Sequence, residues 1–282
     1  MSTPTATISA AALEADRLDG LLAPGEPPRR AEALTASAIF GWRAMLKIRR
    51  EPKQLTDSIA IPVLFTVLFT YLFGGAIGVT PGHYLKSLLP GTLVMSITIV
   101  TVYGGARLAQ DVTTGVFDRF RSLSVWRGAL VLGGLLSDAA RYLLSAAIVV
   151  ILGVAIGYRP DGGARGVIAA VALVIAFGLS MSWLWAAIAL LVRDPATVTS
   201  IGAAGLIAPT FASNIFVQPR TMPGWLQAVV NVNPISHVAA ASRVLMNGTG
   251  GAGGPVAWSL VAIAAITLLF APLTVHLYSK QP

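Results

Sequence analysis

Cysteine is absent from all 282 residues, which excludes disulfide staples, thiolate metal sites and thiol nucleophiles. Charge is scarce as well: Asp, Glu, Lys and Arg together make up 11% of the chain, about half the share of an ordinary soluble domain. The lysines are Lys47, Lys53, Lys86 and Lys280, and none follows a glycine. The chain therefore has no Gly-x-x-x-x-Gly-Lys-Ser/Thr phosphate loop and cannot hydrolyse ATP through one. His83, His237 and His276 are scattered, without the spacing of a metal site. Apart from Asp138 at the start of the third, no acid lies in the apolar runs, so the carboxylate relay of a proton- or sodium-coupled carrier is missing.

Apolar residues are plentiful, at 55% of the chain. They gather in six runs, at 59–79, 88–106, 129–157, 167–192, 197–217 and 256–277, each near the roughly 20 residues that cross a ~30 Å hydrocarbon core. This predicts an all-α integral membrane protein with six transmembrane helices, the first of them also serving as targeting signal. Three regions follow: a mobile tail over 1–28, an amphipathic helix over 29–53 and a six-span domain over 54–282. The formal net charge of +8 fits loops rather than nucleic acid, because the basic residues cluster between apolar runs. With the N-terminus inside, fourteen Lys and Arg fall on the cytosolic side and five outside, Arg141 standing at the boundary. That bias predicts both termini in the cytosol.

Over 29–53, Leu34, Ala38, Met45 and Ile48 share one face, with Trp42 at its edge and Arg43, Lys47 and Arg50 opposite. A basic amphipathic helix of this kind can lie among anionic headgroups or remain solvated beside them, and Glu51-Pro52 ends it. The polar stretch 106–129 carries Arg107, Asp111, Asp118, Arg119, Arg121 and Arg127 between the second and third runs, and predicts a cytosolic hairpin. Asp138 and Arg141 are three apart at the start of the third run, either as an inner-boundary ion pair or as a buried functional one. Gly74 with Gly78 and Gly153 with Gly157 have small-xxx-small spacing, and Pro62, Pro90, Pro209 and Pro272 are candidate kinks.

The longest outer segment, 218–254, is expected to form two short amphipathic helices. Pro223 would start the first, Asn233-Pro234 the second, and Asn247-Gly248 would end it. They would re-enter the outer leaflet between spans five and six, with Trp225 at the interface and Arg243 reaching water. His237 reads as a packing residue, and the glycine-rich 248–254 as a linker.

Several pieces together resemble the permease subunit of ABC-2 type exporters, and within it the daunorubicin-resistance permeases. These are Arg-Glu-Pro at 50–52, Gly-Val-Phe-Asp-Arg-Phe-Arg-Ser-Leu at 115–123, Arg-Asp-Pro at 193–195, and Pro-Gly-Trp-Leu-Gln at 223–227 followed by Asn-Pro-Ile-Ser at 233–236. The likeness runs from about residue 34 onward, and Ser124-Val125 stands where these permeases commonly have proline. The resemblance implies that a separate P-loop ATPase binds the cytosolic hairpin and that ATP and Mg sit on that partner. It also implies a second permease subunit, identical or different, and an amphipathic drug, lipid or glycan as cargo in the plasma membrane. Gly115, Phe117, Asp118, Arg119, Phe120 and Arg121 would be the ATPase contacts, the phenylalanines as anchors or as packing against the bilayer. The competing class is a lipid-modifying membrane enzyme independent of ATP, which needs a convergent acid, base or metal site at one membrane face.

Overall fold

A long helix that carries hydroxyls among its aliphatic residues is suited to the middle of a membrane bundle, where neighbouring helices exclude lipid on every side. The computed structural model, which describes residues 60, 62–72, 81–114, 127–217, 219–249, 251 and 253–279, has such a helix at its centre. The described residues contain α1 (Pro62–Leu72), α2 (Pro81–Thr113), α3 (Arg127–Ile156), α4 (Gly163–Val192), α5 (Pro195–Phe211), α6 (Gly224–Val232), α7 (Pro234–Asn247) and α8 (Gly253–Ser279). None of the described residues is in a strand.

The central element is α2. Leu85, Leu89, Leu93, Val94 and Ile97 are buried, and so are Thr92, Ser96, Thr98 and Thr101. The threonines satisfy themselves inside the helix: Thr92 donates to the Leu89 carbonyl at 3.0 Å, Thr98 to Val94 at 2.8 Å and Thr101 to Thr98 at 2.6 Å. Ser96 instead bonds Ser145 of α3. Around α2 pack α3, α4, α5 and α7, while α8 lies outside against α4 and α7. Trp258, Leu268 and Leu269 of α8 are exposed, the composition of a face that meets acyl chains.

Glycine sets two of the close approaches. A Cβ at Gly178 would stand 2.6 Å from Ile97, and one at Gly105 would stand 2.8 Å from Trp185, so α2 and α4 touch nearly backbone to side chain. Gly153 faces Leu89, but Gly157 has φ +113 and no neighbour, because it ends α3 rather than lining a groove. The expected Gly153/Gly157 seam is thus one contact and one helix stop; Gly74 and Gly78 lie outside the described residues.

Helices α2, α3, α4 and α8 contain segments long and apolar enough to cross a membrane: Tyr84–Thr113, Gly134–Ile156, Gly163–Val192 and Gly253–Tyr278. Six such spans were expected, and the fifth run differs from expectation. Its helix, α5, ends at Phe211 after 17 residues, and 212–217 continues as irregular chain with Ser213 and Ile215 buried. The cause is side-chain capture: Ser213 donates to the Thr210 carbonyl at 2.5 Å, and the amide of the sequence-distant Asn233 donates to the carbonyls of Pro209 (2.6 Å) and Ala212 (2.9 Å). Side chains thereby satisfy carbonyls that a further helical turn would otherwise use. The second run is longer than expected, since α2 continues through Arg107 to Thr113. Of the first run, α1 supplies Pro62–Leu72.

Chain direction gives the bundle two ends. Turns 157–162 and 212–217, helices α6 and α7 and the start of α2 share the loop end; the end of α2, the start of α3 and the α4–α5 turn share the hairpin end.

Candidate functional site: the hairpin end and its opposite

At the hairpin end, three charges from two helices meet. Asp138 Oδ1 accepts from Arg107 Nη2 and from Arg141 Nη1, both at 2.9 Å. The three side chains are 17%, 12% and 8% exposed respectively, so the carboxylate is held by charge-assisted bonds with little water. Asp138 and Arg141 lie one turn apart on α3, as their spacing predicted, whereas Arg107 arrives from α2. The pair is therefore a triad. By sequence its third member reads as part of the polar loop, because a charge after a long apolar run looks like the end of a helix. The available signal is that Arg107 and Asp138 flank the polar stretch from either side, so that antiparallel helices before and after it bring them to one level.

That stretch leaves α2 after Thr114 and enters α3 at Arg127. Gly115, Phe117, Asp118, Arg119, Phe120 and Arg121 lie outside the described residues, as do Trp42, Arg43, Lys47 and Arg50 of the amphipathic segment. Also at this end, Arg193 adopts a left-handed conformation (φ 55) and Asp194 caps α5. Asp194 accepts from the Thr197 hydroxyl at 2.5 Å and the Thr197 amide at 2.7 Å, and these bonds hold its carboxyl below the usual range. The Arg-Asp-Pro sequence at 193–195 is accordingly a turn, a cap and a first helical residue.

The loop end is built from side chains that donate to backbone. Arg243 of α7 points inward rather than to water: it donates to the carbonyls of Ser87 (2.7 Å), Ile215 (3.0 Å) and Asn214. The expected snorkelling fails because the end of α5 leaves free carbonyls inside the fold, and they offer a better partner than solvent. Asn247 donates to the Lys86 carbonyl at 2.9 Å and accepts from the Tyr158 hydroxyl at 2.9 Å, while Lys86 meets Asp161 at 2.5 Å. Asn233 caps α7 by accepting from the Ile235 amide at 2.9 Å, and Gly248 ends that helix at φ 63. Pro223 is the residue just before α6 rather than its first. Trp225 is 71% exposed on α6, and His237 stacks on Trp258 with centroids 5.8 Å apart. Phe65, Phe69, Phe211 and Phe216 form a separate stacked aromatic group, Phe69 and Phe216 lying 4.8 Å apart.

The described residues form a helical bundle in which four helices are long and apolar enough to cross a membrane, the architecture of a multi-pass membrane protein. The ABC-2 type transporter family matches residues 36–247, and the chain belongs to that family. It is 43% identical over 281 residues to the daunorubicin resistance ABC transporter permease protein DrrB1 of Streptomyces coeruleorubidus, covering 100% of this chain and 99% of that one. It is 25% identical over 239 residues to the probable doxorubicin resistance ABC transporter permease protein DrrC of Mycobacterium tuberculosis (strain ATCC 25618 / H37Rv), covering 83% and 84% of the two chains. The doxorubicin resistance ABC transporter permease protein DrrB of that strain is 24% identical over 226 residues, covering 77% and 78%. The protein is a transmembrane permease of an ABC exporter and not an enzyme, and a permease of this kind works with an ATPase.

Proposed function

We propose that the chain carries amphipathic compounds out of the cytosol across the plasma membrane, driven by ATP and Mg bound on a separate ATPase. The names of its relatives make daunorubicin and doxorubicin the first candidates as cargo, with lipids and glycans next. In this reading six spans cross the membrane, both termini are cytosolic, and the 29–53 helix lies in the inner headgroup layer against anionic lipid. The α6–α7 pair re-enters the outer leaflet, and two permease subunits together enclose the path.

One observation carries the reading: α2 and α3, the helices that flank the basic stretch 115–126, are joined by charge next to it. A protein surface that grips this stretch has a direct mechanical route into the core of the bundle. The ATPase would seat Phe117 and Phe120 in a cleft, with Asp118, Arg119 and Arg121 setting register and Gly115 allowing close approach. Closure of its nucleotide domains would then bias two packings of the permease, one open inward and one outward.

A tagged chain is expected to copurify with a P-loop ATPase. Asp118→Ala and Arg119→Ala should each lower doxorubicin export from whole cells while leaving membrane insertion intact. Normal export by both variants removes the coupling assignment.

A further inference from the structure

We infer that Arg107, Asp138 and Arg141 act as a clasp that makes α2 and α3 one lever, so that a push on 115–126 enters the bundle as a single movement. The inference deepens the coupling reading above and rests on it. Three observations point the same way.

The first is the bonding. Arg107 reaches across from α2 while Arg141 stays on α3, and both guanidiniums converge on one carboxylate oxygen, so the Arg107–Asp138 bond is the latch between the two helices at this level. The second is the seat prepared for that carboxylate. A Cβ at residue 104 would stand 3.3 Å from Asp138 Oδ2, so the acid rests against the bare backbone of α2 at Gly104. The third is continuity. One residue on from Arg141 along α3, the Tyr142 hydroxyl meets Ser182 Oγ of α4 at 2.6 Å, so α3 is bonded to α4 as well as to α2.

Past the clasp, α2 runs on to Thr113 and α3 reaches back to Arg127, roughly 9 Å and 16 Å of helix at 1.5 Å per residue. Two cantilevers of unequal length would splay independently under load unless tied at their base. An ion triad is a poor device for stability alone, because apolar residues of similar volume often stabilise a buried site as well or better. It is a good device for register, since the bond forms in one relative position of the helices. These are positioning residues; they touch neither cargo nor nucleotide.

The test uses the permease and its ATPase together in lipid vesicles, with three variants. Asp138→Asn removes the charge. Gly104→Ala keeps every charge and presses on the carboxylate. Ser96→Ala alters the same helix interface, away from the triad. A cargo-free readout comes from spin labels at Gln110→Cys and Leu130→Cys, possible because the chain has no cysteine of its own. In the parent background the distance distribution should be narrow both with and without ATP; adding Asp138→Asn should broaden it. In the functional readout, Asp138→Asn should still bind the ATPase and hydrolyse ATP within about twofold of the parent, while doxorubicin moved per ATP falls by about tenfold, the scale of coupling changes along such networks. Gly104→Ala should shift in the same direction by less, and Ser96→Ala should not shift.

A distribution as narrow in Asp138→Asn as in the parent overturns the clasp, as does an unchanged ratio of doxorubicin to ATP. If the parent chain fails to bind an ATPase at all, the coupling reading falls and the clasp with it.

Discussion

The loop end and the hairpin end of this bundle are held together by different chemistry. At the loop end, neutral carbonyls are captured by side chains: Arg243 takes three, Asn233 two and Asn247 one. Such bonds tie backbone to backbone through one residue and leave little freedom, because each lost partner strands a buried acceptor. At the hairpin end the described link between α2 and α3 is a charge triad whose three members sit on helix shafts. The first arrangement fixes a position, and the second fixes a relation between two rods that remain free to tilt together. A permease that receives force at one end needs both, a fulcrum and a lever.

The contrast predicts that changes at the loop end act on stability and changes at the hairpin end act on coupling. The largest loss should come from Arg243→Met, which strands three carbonyls; with each buried unsatisfied group costing ~1–3 kcal/mol, the yield of folded protein in detergent should fall sharply. Next is Asn233→Ala, which removes an α7 cap and two bonds to the end of α5; a loss of about 2 kcal/mol is expected from the cap together with the bonds, seen as a lower thermal midpoint. Should either variant instead fold normally and lose export per ATP, the division between the two ends is wrong.

Smaller still is the effect of Tyr158→Phe, which deletes one bond to Asn247 and should cost about 1 kcal/mol. It also carries a pH signature. Burial first, and Asp161 second, raise the Tyr158 phenol to about 12 from its ordinary 10.0. A group raised in the fold contributes fully below its unfolded value and loses that contribution as pH rises through the folded one. The stability difference between the parent and Tyr158→Phe should therefore shrink between pH 10 and about 12. A constant difference across that window would mean that the phenol does not titrate there. The least effect belongs to Asp194→Asn at neutral pH, since the amide oxygen still caps α5; the parent's cap should weaken only below the usual carboxylate range.

These assignments also mark how far residues alone can be read. Apolar runs located α2, α3, α4 and α8 because span length is a property of the local chain. Proline and glycine punctuation located α6 and α7 for the same reason. What local pattern misreads is where a helix yields to a distant partner. Arg107 looked like a loop residue, yet helix and charge coexist because Asp138 lies across the interface. The 197–217 run looked like one uninterrupted helix, yet Asn233 and Ser213 satisfy the carbonyls at which α5 stops. Arg243 looked destined for water for want of any sign that three carbonyls would face it. Within the triad, Asp138 and Arg141 are three apart on one helix and can be paired from sequence, whereas Arg107 joins them only through the fold.

The account stands on the side of the membrane that 115–126 occupies and on what touches it there. Because the chain has no cysteine, Ser122→Cys is a unique reporter for a membrane-impermeant maleimide. The prediction is no labelling in intact cells, labelling in inside-out vesicles, and protection in those vesicles when the ATPase is bound. Labelling of intact cells would contradict it.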